Sequence, residues 1–552
     1  MIQYKNVQLE DKTAYENLLH NTTEHGCYYT FANLFMWGTQ QIAFLNEHVL
    51  LFSEFDGNCF YPFPIGFGDK KEILEQIFAD TKERGLCCCL TGLNEEDKHT
   101  LETLYPGQFY FHAERNNFDY VYDIHSLADL KGRKLHRKRN HLKHFEKNHP
   151  NCVVEPISDE NLEEVRTFLS SWYKMKLEET PDGDYHNEQA ALEKALHYHK
   201  ELDMEGLLLK EGSEMLAFTM GSQMSADTFD VHFEKARGDI DGAYTTINSS
   251  FANYIRNKHP HIAYLNREED MGIPGLRKAK KSYFPHHMIK KYKAFPLRHA
   301  FEFRFADMDD IPSLRNLWKE AFGDSDAFLD HFFSNAFDTS RCRIATVDKE
   351  LAAVLYWFDC TIDGQNCAYI YAVATAKEYR GNGACHVLLS DTHKHLKEHG
   401  YHSAILVPGS EKLIQLYEGA EYEACTKISE IKCSAENRNL IIEEIDKETF
   451  TALRKQFLPK NSVLQEKENL DFLATQARFY KGNNFLLVAN IENENLFGIE
   501  LLGDISVAPS ILYALECKDG TFRTPGKDIP FAMYHALADD AVEPEYFGFA
   551  FD

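Results

Sequence analysis

The sequence predicts an α/β chain whose domains are built on mixed sheets, and three observations predict it. Its 552 residues exceed what one ordinary hydrophobic core supports, so about two to four domains are expected. β-branched and aromatic runs alternate with amphipathic helices along the chain instead of segregating into separate blocks. A unit of strand, glycine-bearing loop and helix also occurs twice, at DTFDVHFEKARGDIDGAYTTINSSFA and at YIYAVATAKEYRGNGACHVLLSDTHKHLKEHG.

The bulk numbers restrict the class of function. Lys+Arg 59 against Asp+Glu 86 leaves a net charge of −27, which disfavours indiscriminate binding to DNA or to anionic membranes. The 13 cysteines include no C-x-x-C pair, and consecutive side chains of Cys87, Cys88 and Cys89 point to opposite faces of an extended strand, so no metal site is expected. The start MIQYKNVQLEDK has no apolar core, and no run of 18 apolar residues occurs, so a cytoplasmic protein without a membrane span is expected.

A seam lies at AFPLRHAFE, and the expected domains are 1–297, 298–434 and 435–552. After a short strand at Phe301–Arg304, Asp309 or Asp310 is a candidate N-cap. Pro312 in the first turn and Gly323 beyond the last bracket a helix with Ile311, Leu314, Leu317, Trp318 and Phe322 on one stripe. A second helix over 326–337 precedes three β-rich runs, CRIATVD, LAAVLYWFDCTID and CAYIYAVAT. HSAILV, SEKLIQLYEG and CTKISEIKC then read as strand, helix and final strand. The 435–552 segment mixes strands (NNFLLVANI, NLFGIELLG) with helices (KETFTALRKQF, PFAMYHALADD). It reads as an accessory α/β domain or a decayed copy of the module before it. The first 295 residues carry strands HVLLFSEF, FDYVYDI, GLLLKEG and MLAFTMGS, with helices over 159–176 and 187–201.

The loop Arg380-Gly381-Asn382-Gly383-Ala384 is the strongest chemical signal. A strand over Ala368–Thr375 runs into it, and a helix leaves it with Ala384, Leu388, Thr392 and Leu396 on one stripe. Unpaired amides and the helix dipole make such a turn an anion site, the glycines let backbone approach the anion, and Arg380 adds a charge. The pattern resembles the acetyl-CoA signature of the GNAT N-acetyltransferase family, Arg/Gln-x-x-Gly-x-Gly/Ala, at Arg380 and Gly383, with Cys385 in the last position. The resemblance implies that backbone of Val373, Ala374 and Thr375 meets the pantetheine arm and polarises the thioester. It also implies that Gly381, Asn382, Gly383 and Ala384 hold the pyrophosphate of acetyl-CoA, the donor substrate. LIQLYEGAEY resembles the family's Leu-Tyr-Glu-x-x-Gly-Phe ending, which places Tyr417 as the general acid for the departing thiolate. Glu421 stands where the family usually has glycine.

Two basic stretches interrupt the acidic background. KGRKLHRKRNHLKHFEKNH holds eight Lys/Arg and four His against one acid, and MGIPGLRKAKKSYFPHHMIKKYKAF has seven Lys/Arg and no acid. They are either solvated faces or two halves of a phosphate-binding surface. GRKLHRKRNHLKHF, HFEKARGDIDGAY and NREEDMGIPGLRKAKKSYFP resemble the C-terminal domain of phosphatidylglycerol lysyltransferases, over roughly residues 1–295. That resemblance implies a tandem of acyl-CoA N-acyltransferase-like domains, and a lysyl donor carried on tRNA. The membrane-embedded portion of those enzymes is not seen in this sequence. The candidate substrate residues are Lys138, Arg139, Asn140, His232, Glu234, Lys235, Asn266, Glu268, Asp270, Arg277 and Lys280. Carboxylates such as Glu268 are expected to take an amino group, and Arg277 and Lys280 a phosphate.

The leading expectation is therefore an acyltransferase that moves acetyl from acetyl-CoA to an amine through the 298–434 module. One alternative is tRNA-dependent aminoacyl transfer in the N-terminal half with the module as an accessory. The other is a non-catalytic module that binds CoA or tRNA.

Overall fold

The computed structural model describes residues 1–19, 25–55, 58–179 and 185–551. They divide into two compact units, Met1–Pro296 and Leu297–Asp552. Among the described residues each unit contains two mixed sheets, and one chain path recurs in every sheet. Antiparallel strands lead to a strand that pairs in parallel with a later one. The parallel pairs are Asn58–Pro62 with Cys88–Leu93, Thr228–Ala236 with Tyr264–Asn266, Gln365–Thr375 with Ser403–Leu406, and Asn495–Gly503 with Asp519–Pro525. A parallel pair requires a crossover, and helices Lys70–Arg84, Ala243–Lys258, Ala384–Glu398 and Ala508–Ala514 supply it.

The strand beyond each parallel pair comes from elsewhere in its unit. In the N-terminal unit, Tyr292–Pro296 closes the first sheet and Asp119–Asp123 closes the second. In the C-terminal unit, Met533–Ala536 closes the first and Lys427–Ser434 the second. Each unit is thus two like halves that share strands, and neither sheet is complete without residues from the far end of its unit. The 435–552 segment follows the same path as the module before it. It also lends that module Met533–Ala536 and an edge strand, Val463–Gln465.

Two sequence expectations change here. CTKISEIKC does form a strand, but it joins the second sheet and does not close the 298–434 module. PFAMYHALADD, expected as a helix, contains the strand Met533–Ala536 instead. Phe531, Ala532, Met533 and Tyr534 are all buried, so both faces of the segment are covered and sheet pairing overrides its local helical pattern. The helix Ile311–Phe322 has Pro312 in its first turn and a left-handed Gly323 after it, as expected. Asp310 holds its N-cap position, but the carboxylate binds Arg304 and the Asp307 amide and not a helix amide. The second helix ends at Asn335.

The first sheet of the C-terminal unit is covered on both sides. Helices Ile311–Phe322 and Asp326–Asn335 pack over Ile344, Val354, Tyr356 and Tyr369 on one face. The helices Ala384–Glu398 and Glu411–Gly419 pack over Ala353, Leu355, Ala368 and Ile370 on the other. Glu421 lies in the turn after Glu411–Gly419 with φ +67, the left-handed region that an L side chain enters at a cost. Glycine at this position relieves that cost. Glu421→Gly is expected to raise stability by about 1 kcal/mol, read as an upward shift of the urea unfolding midpoint.

Candidate functional site

In the C-terminal unit, the parallel ladder of the first sheet runs Cys367↔Ser403, Ala368↔Ala404 and Tyr369↔Ile405, and then stops. Beyond it the long strand bulges. Tyr356 faces Tyr371 and Val354 faces Ala374, so Ala372 and Val373 oppose the single residue Leu355, with Ala372 at φ +47. A bulge re-aims backbone groups and releases them from the ladder. Val373 packs on the side of Leu388 and Tyr417. On the opposite side Tyr371 lies in a ring cluster with Phe358, Phe472 and Phe551, and its hydroxyl donates to the Phe551 carbonyl at 2.9 Å.

Past Thr375, the loop turns through Gly381 (φ +74) and Gly383 (φ +81), and Gly383 is the N-cap of the helix Ala384–Glu398. No heavy atom lies within 4 Å of where a Cβ on Gly381 would be, so the cradle is open above it. Left-handed glycines, first-turn amides and an open cradle fit a diphosphate. Arg380 is placed differently from the sequence expectation. Its Nε donates to the Thr375 carbonyl at 2.8 Å and its guanidinium pairs with Glu320 at 3.0 Å, so it braces the loop rather than facing an anion. Thr375 and Asn382 are half-buried, while Ala374 and Ala384 are in the core. Tyr417 is buried against Tyr422, and its hydroxyl makes no hydrogen bond among the described residues. Burial, with a smaller push from Cys385, lifts its phenol above the ordinary value and keeps it protonated.

The second sheet of the N-terminal unit repeats this design with different chemistry. Its ladder runs Thr228↔Tyr264, Phe229↔Leu265 and Asp230↔Asn266, and a bulge at Val231 and His232 follows. Gly221 lies opposite because a Cβ there would sit 2.0 Å from the Asp230 carbonyl oxygen. The loop then runs Arg237-Gly238-Asp239-Ile240-Asp241 to Gly242, the left-handed N-cap of Ala243–Lys258. Here the anion seat is altered. Arg237 pairs with Asp239 and Glu214, and His141 binds Asp241 at 2.8 Å. The basic helix His136–Asn148 packs so closely that a Cβ on Gly242 would lie 2.6 Å from the His141 carbonyl oxygen. Two carboxylates and a helix thus occupy the position where the other unit offers an open cradle.

The basic helix instead borders a pocket of about 730 Å³ lined by Arg133, Lys134, Arg137, Lys138, Arg139 and Phe284 among others. Lys138 sits 3.8 Å from the centre of the Tyr283 ring, and burial, aided by Arg267 and opposed by Glu234, lowers its pKa to about 8. Arg139 is turned back to the carbonyls of Leu130 and Gly132, and Asn140 is exposed beside His136.

At the end of the parallel ladder lies a buried polar cluster. His232 places Nδ1 3.1 Å from Glu268 and 3.5 Å from Asp230, and Nε2 2.9 Å from Ser222. Asn33 donates to Glu268 at 2.9 Å, and Asn266 Oδ1 accepts from the Glu268 amide at 2.7 Å. Asn266 also donates to Asp119, which binds the ammonium of buried Lys291 at 2.5 Å. Burial works against the charge on Lys291, but Asp119, Cys27 and Glu269 hold it charged. Burial, with Glu268 and Asp119, pushes the Asp230 carboxyl well above its usual range.

The other sequence candidates are structural. Arg277 forms a two-pronged pair with Asp270, 2.9 Å on each arm, and Lys280 donates to the carbonyls of Arg267 and Glu269. Glu234 binds Arg267 and Asn248, and Lys235 binds Glu188. Asp119, Asp230, Glu269, Lys291 and Cys27 were missed. The pattern Asp230-x-His232 on one strand was the single local signal for them, because the others come from distant segments.

Residues 20–295, half of the chain, match the family model "Phosphatidylglycerol lysyltransferase, C-terminal". The chain belongs to that family. Residues 302–425 match the "Acetyltransferase (GNAT) domain". A conserved protein of unknown function from Bacteroides thetaiotaomicron is 34% identical; the match covers 54% of this chain and 100% of that structure, with a TM-score of 0.51. The structure of L-PGS from Bacillus licheniformis is 14% identical, covering 52% and 91% of the two chains, with a TM-score of 0.39. The uncharacterized protein MYCGA3080 of Mycoplasmoides gallisepticum is 26% identical over 211 residues, 37% of this chain and 62% of that one, less than two thirds of its length. This phosphatidylglycerol lysyltransferase-family chain is therefore built from acyltransferase-type domains in both units, and no helix among the described residues is long and apolar enough to cross a membrane.

Lys138 gives the basic pocket a titration. Its ammonium is lost as pH rises through about 8, so a polyanion such as heparin is expected to bind more weakly at pH 9 than at pH 7. Lys138→Met flattens that difference, measured at constant ionic strength. Because the unfolded chain keeps this proton up to the ordinary lysine value, the folded protein gains stability from Lys138 as pH rises above about 8.

Proposed function

We propose that the 298–434 module transfers acetyl from acetyl-CoA to a primary or secondary amine. The observation that carries this reading is the open cradle of left-handed Gly381 and Gly383 at a helix N-terminus, beside a bulged strand parted from its parallel neighbour. In this reading the amides of Gly381, Asn382, Gly383 and Ala384 hold the diphosphate. Backbone freed at the bulge, over Val373, Ala374 and Thr375, holds the pantetheine arm and stabilises the oxyanion. The amine nitrogen attacks the thioester carbon, the carbon–sulfur bond breaks, and the nitrogen's proton passes to solvent. Tyr417 donates a hydrogen bond to the departing sulfur. Its raised phenol makes full transfer to a thiolate uphill, so its role is to stabilise that charge.

The N-terminal unit favours a second activity of the aminoacyl-transfer type. Asp239 and Asp241 in the loop disfavour a diphosphate there, whereas the pocket beside Lys138 suits the phosphates of a charged tRNA.

Acetyl-CoA at about 100 times its Kd is expected to stabilise the protein by about 2.7 kcal/mol. Gly381→Asp puts a carboxylate into open space and is expected to abolish that shift. No shift at millimolar acetyl-CoA overturns the reading. Tyr417→Phe is expected to lower kcat by about 10²-fold with KM little changed, measured by thiol release with an accepted amine.

A further inference from the structure

We infer that Asp230, His232 and Glu268 form a binding site for one divalent transition-metal ion, zinc foremost, at the end of the parallel ladder in the second sheet of the N-terminal unit. The inference is independent of acetyl transfer in the other unit. The ligand atoms are His232 Nδ1, a carboxylate oxygen of Asp230 and Glu268 Oε1, all within 4.8 Å of one another. His232 Nδ1 is 3.5 Å from Asp230 and 3.1 Å from Glu268. Tetrahedral zinc with bonds of about 2.0–2.1 Å holds its ligands roughly 3.3 Å apart. The two separations from His232 thus already match the spacing a metal imposes, and the third lies within 4.8 Å.

Charge makes the same demand. Asp230 is 0% exposed, and both its carboxylate oxygens lack a hydrogen-bond partner. Neither Asp230 nor Glu268 has a Lys or Arg within ion-pair distance among the described residues. A buried carboxylate with no hydrogen bond and no Lys or Arg beside it is unfavourable, so oxygens left this way mark a place where a cation fits. The neighbouring cluster of Cys27, Asp119 and Glu269 is not a second site. Lys291 already sits 2.5 Å from Asp119, 3.3 Å from Cys27 and 3.8 Å from Glu269, and serves as its cation.

The surrounding groups orient the ligands as metal sites require. Ser222 meets His232 Nε2 at 2.9 Å, and when that nitrogen carries the proton the Nδ1 lone pair faces the two carboxylates. Asn33 Nδ2 fixes Glu268 Oε1. Glu268 itself has φ +54, a left-handed backbone that a non-glycine residue adopts at a cost. His232 occupies the bulge position that Val373 holds in the other unit.

The test is zinc binding by the full chain, stripped with chelator and re-equilibrated with zinc chloride. One equivalent is expected to survive gel filtration, with a zinc-dependent rise in Tm. Asp230→Asn is expected to lose both while raising the Tm of the metal-free protein, because it removes a buried unpaired carboxylate. That rise separates loss of a ligand from failure to fold. Ser222→Ala is expected to weaken zinc about 10-fold through the lost orientation of His232, and cobalt in place of zinc is expected to give visible tetrahedral bands that vanish in Glu268→Gln. Retention of zinc by Asp230→Asn and Glu268→Gln overturns the proposal, as does the absence of a retained equivalent in the wild type. Stabilisation by a primary ammonium compound such as lysine amide, with none by zinc or manganese, also overturns it.

Discussion

Both candidate sites of this protein lie where a parallel ladder ends early. In the second sheet of the N-terminal unit and the first of the C-terminal unit, the two central strands share three residue pairs and then part. Parallel strands must be joined by a crossover helix, and that helix starts at the parted end. One constraint therefore brings together backbone groups released at a bulge and the positive end of a helix. Side chains that point into the gap then decide what it binds. The closing strands, Asp119–Asp123 and Met533–Ala536, support the far side of each gap, and both come from distant parts of the chain.

The two units show how far one scaffold can be redirected by few residues. Gly381 and Gly383 leave an open turn at a helix N-terminus in the C-terminal unit. At the corresponding turn of the other unit, Asp239, Asp241 and the helix beside Gly242 remove it, and the cations gather on His136–Asn148 instead. The bulge position changes from Val373 to His232, replacing an apolar contact with a potential ligand. Fold likeness alone would give both units the same donor; the side chains argue for different ones.

Local patterns were readable and long-range ones were not. The glycine loop, the helix Ile311–Phe322 and the strands before them follow from periodicity and capping within about ten residues. The strand Met533–Ala536 was not legible, because it is a strand only by pairing with Ser403–Leu406, more than a hundred positions earlier. Arg277 and Lys280 read as phosphate ligands for a different reason. Their partners, Asp270 and the carbonyls of Arg267 and Glu269, lie nearby in sequence, but nothing local shows that the chain folds back on them. Lys291 was hidden within a basic stretch, and only its contact with Asp119 shows that it is a buried ion and not a surface charge.

The buried cluster of the N-terminal unit also explains why its residues come from so many segments. Asp119 belongs to the closing strand, Asp230 and His232 to the bulged strand, Glu268 and Glu269 to the turn after its parallel neighbour, and Cys27, Asn33 and Lys291 to segments that belong to the other sheet's half. Such a site forms only when both halves of the unit are folded together, since each half alone would bury unpaired charge. The strand sharing that makes each unit one body is thus also what assembles this polar centre. A change that loosened the halves would be felt first at Asp230, the buried carboxylate with no hydrogen bond of its own.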